Sequence, residues 1–146
     1  MSDLARNKKA FFDYQVLEKY EAGIALQGTE VKSCKNRSIN FTDAYAQIVK
    51  GEVLLYNVHI STYKYGHQQN HEPMRVRKLL LHKREIRKLA MMCQQKGLTL
   101  IPLALYLKHG LVKVSLGVCR GKHKADKRES MKKAEVQKSL RNIKLR

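Results

Sequence analysis

The stretch Leu98-Thr99-Leu100-Ile101-Pro102-Leu103-Ala104-Leu105-Tyr106-Leu107 runs through Lys108-His109-Gly110 into Val112-Lys113-Val114-Ser115-Leu116-Gly117-Val118-Cys119. Its two arms are rich in aliphatic and β-branched residues, and the link between them holds a glycine. That pattern predicts two strands, Leu98 to Leu107 and Val112 to Cys119, folded back on each other. Pro102 has no N–H to give to a ladder, so its strand is expected to lie at an edge or to carry a bulge there.

Working outward, Asp43 to Val49 and Val53 to Val58 repeat the arrangement around Lys50-Gly51-Glu52. Phe11 to Glu18 and Ala22 to Gly28 read as two further strands, divided by a turn at Tyr20-Glu21-Ala22-Gly23. Thr29 to Lys35 fits either a continued strand or a helical turn. Ile86, Leu89, Ala90 and Cys93 change the period to i, i+3, i+4 and i+7, which predicts an amphipathic helix ending before Gly97. His59 to Arg77 is polar and carries Gly66 and Pro73, and so reads as a long surface loop. The expected organisation is a flexible basic N-terminus over 1–10, a barrel over 11–121 and a basic tail over 122–146. The fold class is mostly β with one or two packed helices, an OB-fold-like closed β-barrel; among small barrels the OB-fold frequently binds oligonucleotides, which is an analogy about fold.

Charge narrows the function. Thirty Lys plus Arg stand against 12 Asp plus Glu, a formal net charge of +18 on 146 residues. Such a surplus repels itself unless a polyanion neutralises it, and phosphates releasing counterions reward clustered cations. Nucleic acid is the expected partner. A membrane is not, because the longest apolar run, from Leu98 to Leu107, is far short of the roughly 20 residues a span needs. The N-terminus, Met-Ser-Asp-Leu-Ala-Arg, has no apolar signal segment, which points to a cytoplasmic protein.

No cofactor is implied. Cys34, Cys93 and Cys119 form no CxxC pair and are expected to be buried, reduced thiols. His67 and His71 are four residues apart but sit in a loop without a clear third ligand, even counting His59, so no metal is expected. No nucleophile elbow, P-loop, H-E-x-x-H or G-x-G-x-x-G occurs, and no acid/base pair stands out, so the chain is read as a non-enzyme. A permanent structural ribosomal protein, a generic RNA binder and an RNA-modifying enzyme using the histidine loop are the competing readings.

Candidate contacts lie in three places. Arg75, Arg77, Lys78, Lys83, Arg84, Arg87 and Lys88 place seven positive charges and one negative, Glu85, within 14 residues around Leu79-Leu80-Leu81. The leucines are expected to face the core and the arginines, projecting to one side of an extended segment, to face RNA. Tyr63-Lys64-Tyr65 interleaves rings with charge, as a base-stacking platform does; packing back onto the barrel is the other reading. Residues 122–146 hold ten basic and three acidic side chains and few apolar ones, so this tail is expected to be disordered alone. Asp126 with Glu129, and Val136, Leu140 and Ile143 on one face, give it latent helicity for a bound state.

Several words in the chain resemble the small protein B family. They are Asn7-Lys8-Lys9-Ala10, Glu21-Ala22-Gly23-Ile24-Ala25-Leu26-Gln27-Gly28-Thr29-Glu30-Val31-Lys32-Ser33, Arg77-Lys78-Leu79-Leu80-Leu81, Pro102-Leu103, Leu105-Tyr106, Lys113-Val114 and Asp126-Lys127-Arg128, in the family's order. The resemblance implies an OB-fold body that grips the tRNA-like domain of transfer-messenger RNA, and a tail that enters the vacant mRNA channel of the small ribosomal subunit near the decoding centre. It implies rescue of stalled ribosomes by trans-translation. The protein is expected to be a monomer apart from its RNA. The family's RNA-binding positions carry over to Asn7, Lys8, Glu21, Leu80 and Lys113. Charge and proximity add Lys9, Arg75, Arg77 and Lys78. Glu21 either accepts hydrogen bonds from base amino groups or a ribose 2′-OH, or orients a neighbouring cation. On the tail the resemblance and the charge together give Lys122, His123, Lys124, Asp126, Lys127, Arg128, Lys132, Lys133, Lys138 and Arg141 as ribosome contacts. Two departures, His123 within Gly121-Lys122-His123 and Ala125 before Asp-Lys-Arg, put the local tail contacts in question.

Overall fold

Residues 3–95 and 97–121 are described by the structure, a computed structural model. Within them the chain runs through Asp3–Arg6 (β1), Lys8–Asp13 (α1), Tyr14–Ile24 (β2), Gly28–Lys35 (α2), Ile39–Asn40 (β3), Tyr45–Val49 (β4), Glu52–Tyr56 (β5), His59–Ile60 (β6), Arg77–Leu80 (β7), Lys83–Cys93 (α3), Leu98–Lys108 (β8) and Leu111–Gly121 (β9). A single 3-10 turn at His67–Gln69 interrupts the segment after β6.

The β8–β9 hairpin is the spine of the fold. β8 and β9 pair from Leu98↔Arg120 to Lys108↔Leu111. The connecting residues His109 and Gly110 have φ of 52° and 78°, the left-handed pair that a two-residue hairpin turn with the strands' own twist requires. Lys50 and Gly51 do the same between β4 and β5, with φ of 51° and 78°. Strand order β8-β4-β5-β7-β2-β9, with β9 returning to β8, closes a ring of six antiparallel strands, and β1 adds to the outside of β8. This is the mostly β, closed architecture expected, with six strands where an OB-fold has five.

Pro102 sits at a bulge: the β8–β9 register shifts between Pro102 and Ala104. An extra residue turns every later side chain to the opposite face. Leu100 and Leu105, an odd number of residues apart, therefore both enter the ring interior with Ala22, Val53, Leu79, Val114, Leu116 and Val118. Ile101 and Leu103 point outward instead and join Ala10 and Cys119 in a second cluster, with Phe11 of α1 and Tyr14 and Val16 of β2 packed against it. Burial on both faces explains why Leu100 to Leu105 is apolar rather than alternating.

Two expectations are corrected. Residues 3–10 are not a loose arm: β1 pairs with β8 through Asp3↔Tyr106 and Ala5↔Leu105, and Leu4 is 6% exposed. Asn7 caps α1, accepting from the Ala10 N–H while its own backbone N–H and side-chain amide donate to Leu103 and Pro102 carbonyls. Nor does a turn divide 11–28. β2 is continuous over eleven residues, and the segment from Gly28 is helical, opened by a capping box between Gln27 and Glu30. The tail expected over 122–146 lies outside the described residues.

Candidate nucleic-acid interface

α1 covers only one end of the outer face of β8 and β9. Toward the other end the sheet surface is open, and cross-strand register lines up one residue from each of five strands. Leu80 of β7 pairs with Gly23 of β2, Gly23 with Lys113 of β9, Lys113 with Tyr106 of β8, and Tyr106 with Asp3 of β1. Gly23 lets Leu80 approach closely: a Cβ there would lie 3.2 Å from the Leu80 Cβ, tighter than ordinary van der Waals contact, so Leu80 lies against bare backbone. Leu80 is 51% exposed, an unusual state for a leucine in a central strand. The expectation that the whole leucine triplet faces the core fails at Leu80: Leu79 is 1% exposed and Leu81 packs against the core, while the alternation of the strand sends Leu80 the other way.

Glu21 lies on the same face, opposite Ser115 and two residues from Gly23. Its Oε2 accepts from Lys108 Nζ at 3.0 Å. That hydrogen bond holds its carboxyl below the ordinary value of 4.5, with Tyr106 and Lys113 adding to the effect. The group is therefore a carboxylate at neutral pH, an acceptor only. Partial burial and the neighbouring Glu21 charge push the Tyr106 phenol up to about 12, so it keeps its proton and stays a donor. Beyond Tyr106 the surface dips into a depression of about 350 Å³ lined by Asp3, Arg6, Phe11, Lys19, Leu103, Ala104, Tyr106 and Ser115. Arg6 and Lys19 both lie over the Phe11 ring, at 5.7 and 5.8 Å from its centroid. The face thus combines an exposed aliphatic side chain, a phenol donor, a pinned carboxylate and the cations Arg6, Lys19, Lys108 and Lys113, which is a surface equipped to read shape as well as charge.

Lys8 and Lys9 belong to another place. With Arg6, Asp13, Tyr14, Arg37 and Tyr45 they line a larger depression of about 850 Å³, whose rim is formed by α1 and the segment around Asn40. Arg6 lines both depressions. Asn7 also lines this depression; it is 8% exposed, and its side chain is bonded to the Ala10 N–H and the Pro102 carbonyl.

The arginines depart furthest from expectation. Arg75 and Arg77 do project to one side, but that side is inward, onto the fully buried Glu30. Arg77 is itself fully buried; its Nε donates to Glu30 Oε2 at 2.5 Å, and its other nitrogens donate to the carbonyls of Val58 and Pro73. Arg75 Nη2 donates to Glu30 Oε1 and to the Ala25 carbonyl. Burial alone would raise the Glu30 pKa; the two guanidinium bonds and the Gln27 N–H outweigh it and bring it below the ordinary value. Arg77 is removed from the RNA-contact set, because a guanidinium sealed in the fold cannot reach a phosphate. Lys78 is exposed and bonds to Glu52 at 3.3 Å on the surface.

Tyr106 and Lys108 were missed by the sequence reading. Their signal was the hairpin itself: once a two-residue turn fixes Lys108 opposite Leu111, period-2 alternation puts Tyr106 and Lys108 on the Lys113 face.

Fold and face together define a small closed-sheet protein whose open face combines cations, a carboxylate and an exposed leucine, a combination suited to structured RNA. The model of the SmpB protein family matches residues 4–145. An SsrA-binding protein of Geobacillus kaustophilus (strain HTA426) is 54% identical over 137 residues, covering 94% of this chain and 88% of the relative. One from Lacticaseibacillus casei (strain BL23) is 56% identical over 142 residues, covering 94% and 90%. A solved structure described as "tmRNA-SmpB: a journey to the center of the bacterial ribosome" contains a chain that superposes with a TM-score of 0.70 at 47% identity, covering 87% of this chain and 93% of that one. The chain belongs to the SmpB family.

Proposed function

We propose that this protein binds the tRNA-like domain of transfer-messenger RNA through the open face of β7, β2, β9 and β8 and carries that RNA to stalled ribosomes for trans-translation. The observation that carries the reading is the register row Leu80–Gly23–Lys113–Tyr106 with Glu21 beside it, which gathers residues from four strands into one surface. Lys113 and the neighbouring cations supply affinity by displacing counterions, and Glu21, Tyr106 and Leu80 supply the shape-dependent part. The relatives' description as SsrA-binding proteins and the ribosome complex of the similar chain support the partners. The site of action is the cytoplasm, where ribosomes are; among the described residues no helix is long and apolar enough to cross a membrane.

The basic segment 122–146 serves the second partner, the small ribosomal subunit, by occupying the mRNA channel when no message fills it. The chain performs no chemistry on the RNA in this reading. Ending the chain at Gly121 tests the division of labour: affinity for transfer-messenger RNA is retained, and tagging of stalled nascent chains is abolished. Loss of RNA affinity on the same truncation contradicts it.

A further inference from the structure

The segment between β6 and β7 presents an aromatic ring that neither the fold nor the proposed interface uses. Asn70 closes the loop on itself: its Oδ1 accepts from the Tyr63 N–H at 2.9 Å and its Nδ2 donates to the Tyr63 carbonyl at 2.7 Å. The Gly66 N–H donates to the same carbonyl, and the Gln69 N–H to the Gly66 carbonyl. The bracket is packed as well as bonded, since a Cβ on Gly66 would lie 2.8 Å from the Asn70 amide and 2.9 Å from the Thr29 methyl of α2. His71, 4% exposed, ties its base to the body. Its Nε2 lies 2.8 Å from the Ile60 carbonyl, which can only accept, so Nε2 donates and Nδ1 accepts from the Thr29 hydroxyl at 2.8 Å.

On this bonded base Tyr65 is 65% exposed, the most exposed of the Phe and Tyr rings among the described residues. Tyr63 holds it edge-on, with centroids 5.6 Å apart and planes at 73°, and Lys64 Nζ lies 5.6 Å from its centroid. A ring open to solvent, braced on one edge by a second ring and flanked by a cation, is suited to stack on an unpaired base. The loop backbone beneath it is already closed by the Asn70 bonds, which lowers the ordering entropy that binding must overcome. A solvated tyrosine with no partner would need neither the Asn70 bracket nor the buried histidine. The exposed residues Met74, Val76, Lys78 and Leu80 lead from this loop along the chain to the Leu80 end of the proposed interface.

We infer that Tyr65, buttressed by Tyr63 and Lys64, is a second RNA contact that stacks on an unpaired base of the protein's RNA partner. The inference rests on the RNA-binding reading above but uses a different surface. The full-length chain is tested with Tyr65→Ala and Tyr65→Phe, each titrated at several salt concentrations against transfer-messenger RNA and against isolated small ribosomal subunits. For one of the two RNAs, Tyr65→Ala weakens binding by about 5- to 150-fold with an unchanged salt slope, and Tyr65→Phe restores it; which RNA responds identifies the source of the base. Wild-type affinity of Tyr65→Ala for both RNAs overturns the inference, as does a loss that Phe fails to restore or that comes with a reduced salt slope. Ultraviolet crosslinking of 4-thiouridine-substituted RNA to the wild-type chain adds an arm that needs no variant: a crosslink in the Tyr63–Tyr65 peptide is expected, and none there overturns the assignment. If Lys113→Ala also leaves affinity unchanged, it is the function itself that fails, not this loop alone.

Discussion

Arg77 and Glu30 are both closed off from solvent and joined at 2.5 Å, so the most basic-looking run of the chain is anchored by a charge pair inside the fold. The pair links α2 to the start of β7, and through the Val58 and Pro73 carbonyls it fixes both ends of the loop that carries Tyr65. Two ions taken from water are costly unless each stays fully bonded, and removing one leaves the other uncompensated. Arg77→Ala is therefore expected to destabilise the protein by about 3–5 kcal/mol in urea unfolding. The salt slope of RNA binding, measured on the folded fraction, should not change. A normal stability with a reduced slope would return Arg77 to the RNA-contact set.

The same pair makes stability depend on pH with a definite sign. The Glu30 pKa is lowered in the folded state relative to the ordinary 4.5, so the pair contributes in full above that value. The contribution is lost as pH falls through 4.5 and then through the lower folded pKa. Urea midpoints measured from pH 7 down to pH 3 should fall for the wild type. Glu30→Gln, weaker at neutral pH, should show a smaller decline across that window; parallel curves would contradict the assignment.

The N-terminal strand gives a third expectation. A flexible arm would tolerate Leu4→Ala within about 0.5 kcal/mol, as exposed sites do. Because Leu4 is 6% exposed in the main core cluster, the change should cost about 2–5 kcal/mol by denaturant unfolding.

These cases show which parts of the fold were written locally. The hairpins around Lys50-Gly51 and His109-Gly110 and the α3 stripe were legible because turn residues and periodicity lie within a few positions of each other. β1 was not, since its partner Tyr106 is about a hundred residues away and Leu4 is the one large aliphatic side chain between Ser2 and Ala10. Tyr20-Glu21-Ala22-Gly23 read as a turn because a glycine in a strand usually marks a break. Here it marks the passage of Leu80 over the backbone, a contact between separate strands. Arg75 and Arg77 were placed correctly on a common side, but only the distant Glu30 decides that the side is inward. Of the candidate interface, Glu21, Leu80 and Lys113 came from family resemblance, and their assembly into one row came from register.

Glu21 and Lys108 offer a test of how that row works. If Lys108 acts mainly by holding the carboxylate, then Lys108→Ala and Glu21→Gln should each weaken RNA binding, and the double variant should lose less than the two effects combined. Fully additive losses would make Lys108 an independent phosphate contact instead.

The most direct test of the central claim is a competition titration at near-physiological salt, with the full-length chain offered the tRNA-like domain of transfer-messenger RNA against bulk tRNA. The wild type should prefer the former, and Lys113→Ala should bind it more weakly with a log–log salt slope shallower by about 0.7–0.9, one phosphate's worth. Equal affinity for the two RNAs, or a Lys113→Ala slope identical to that of the wild type, would contradict the assignment of this face.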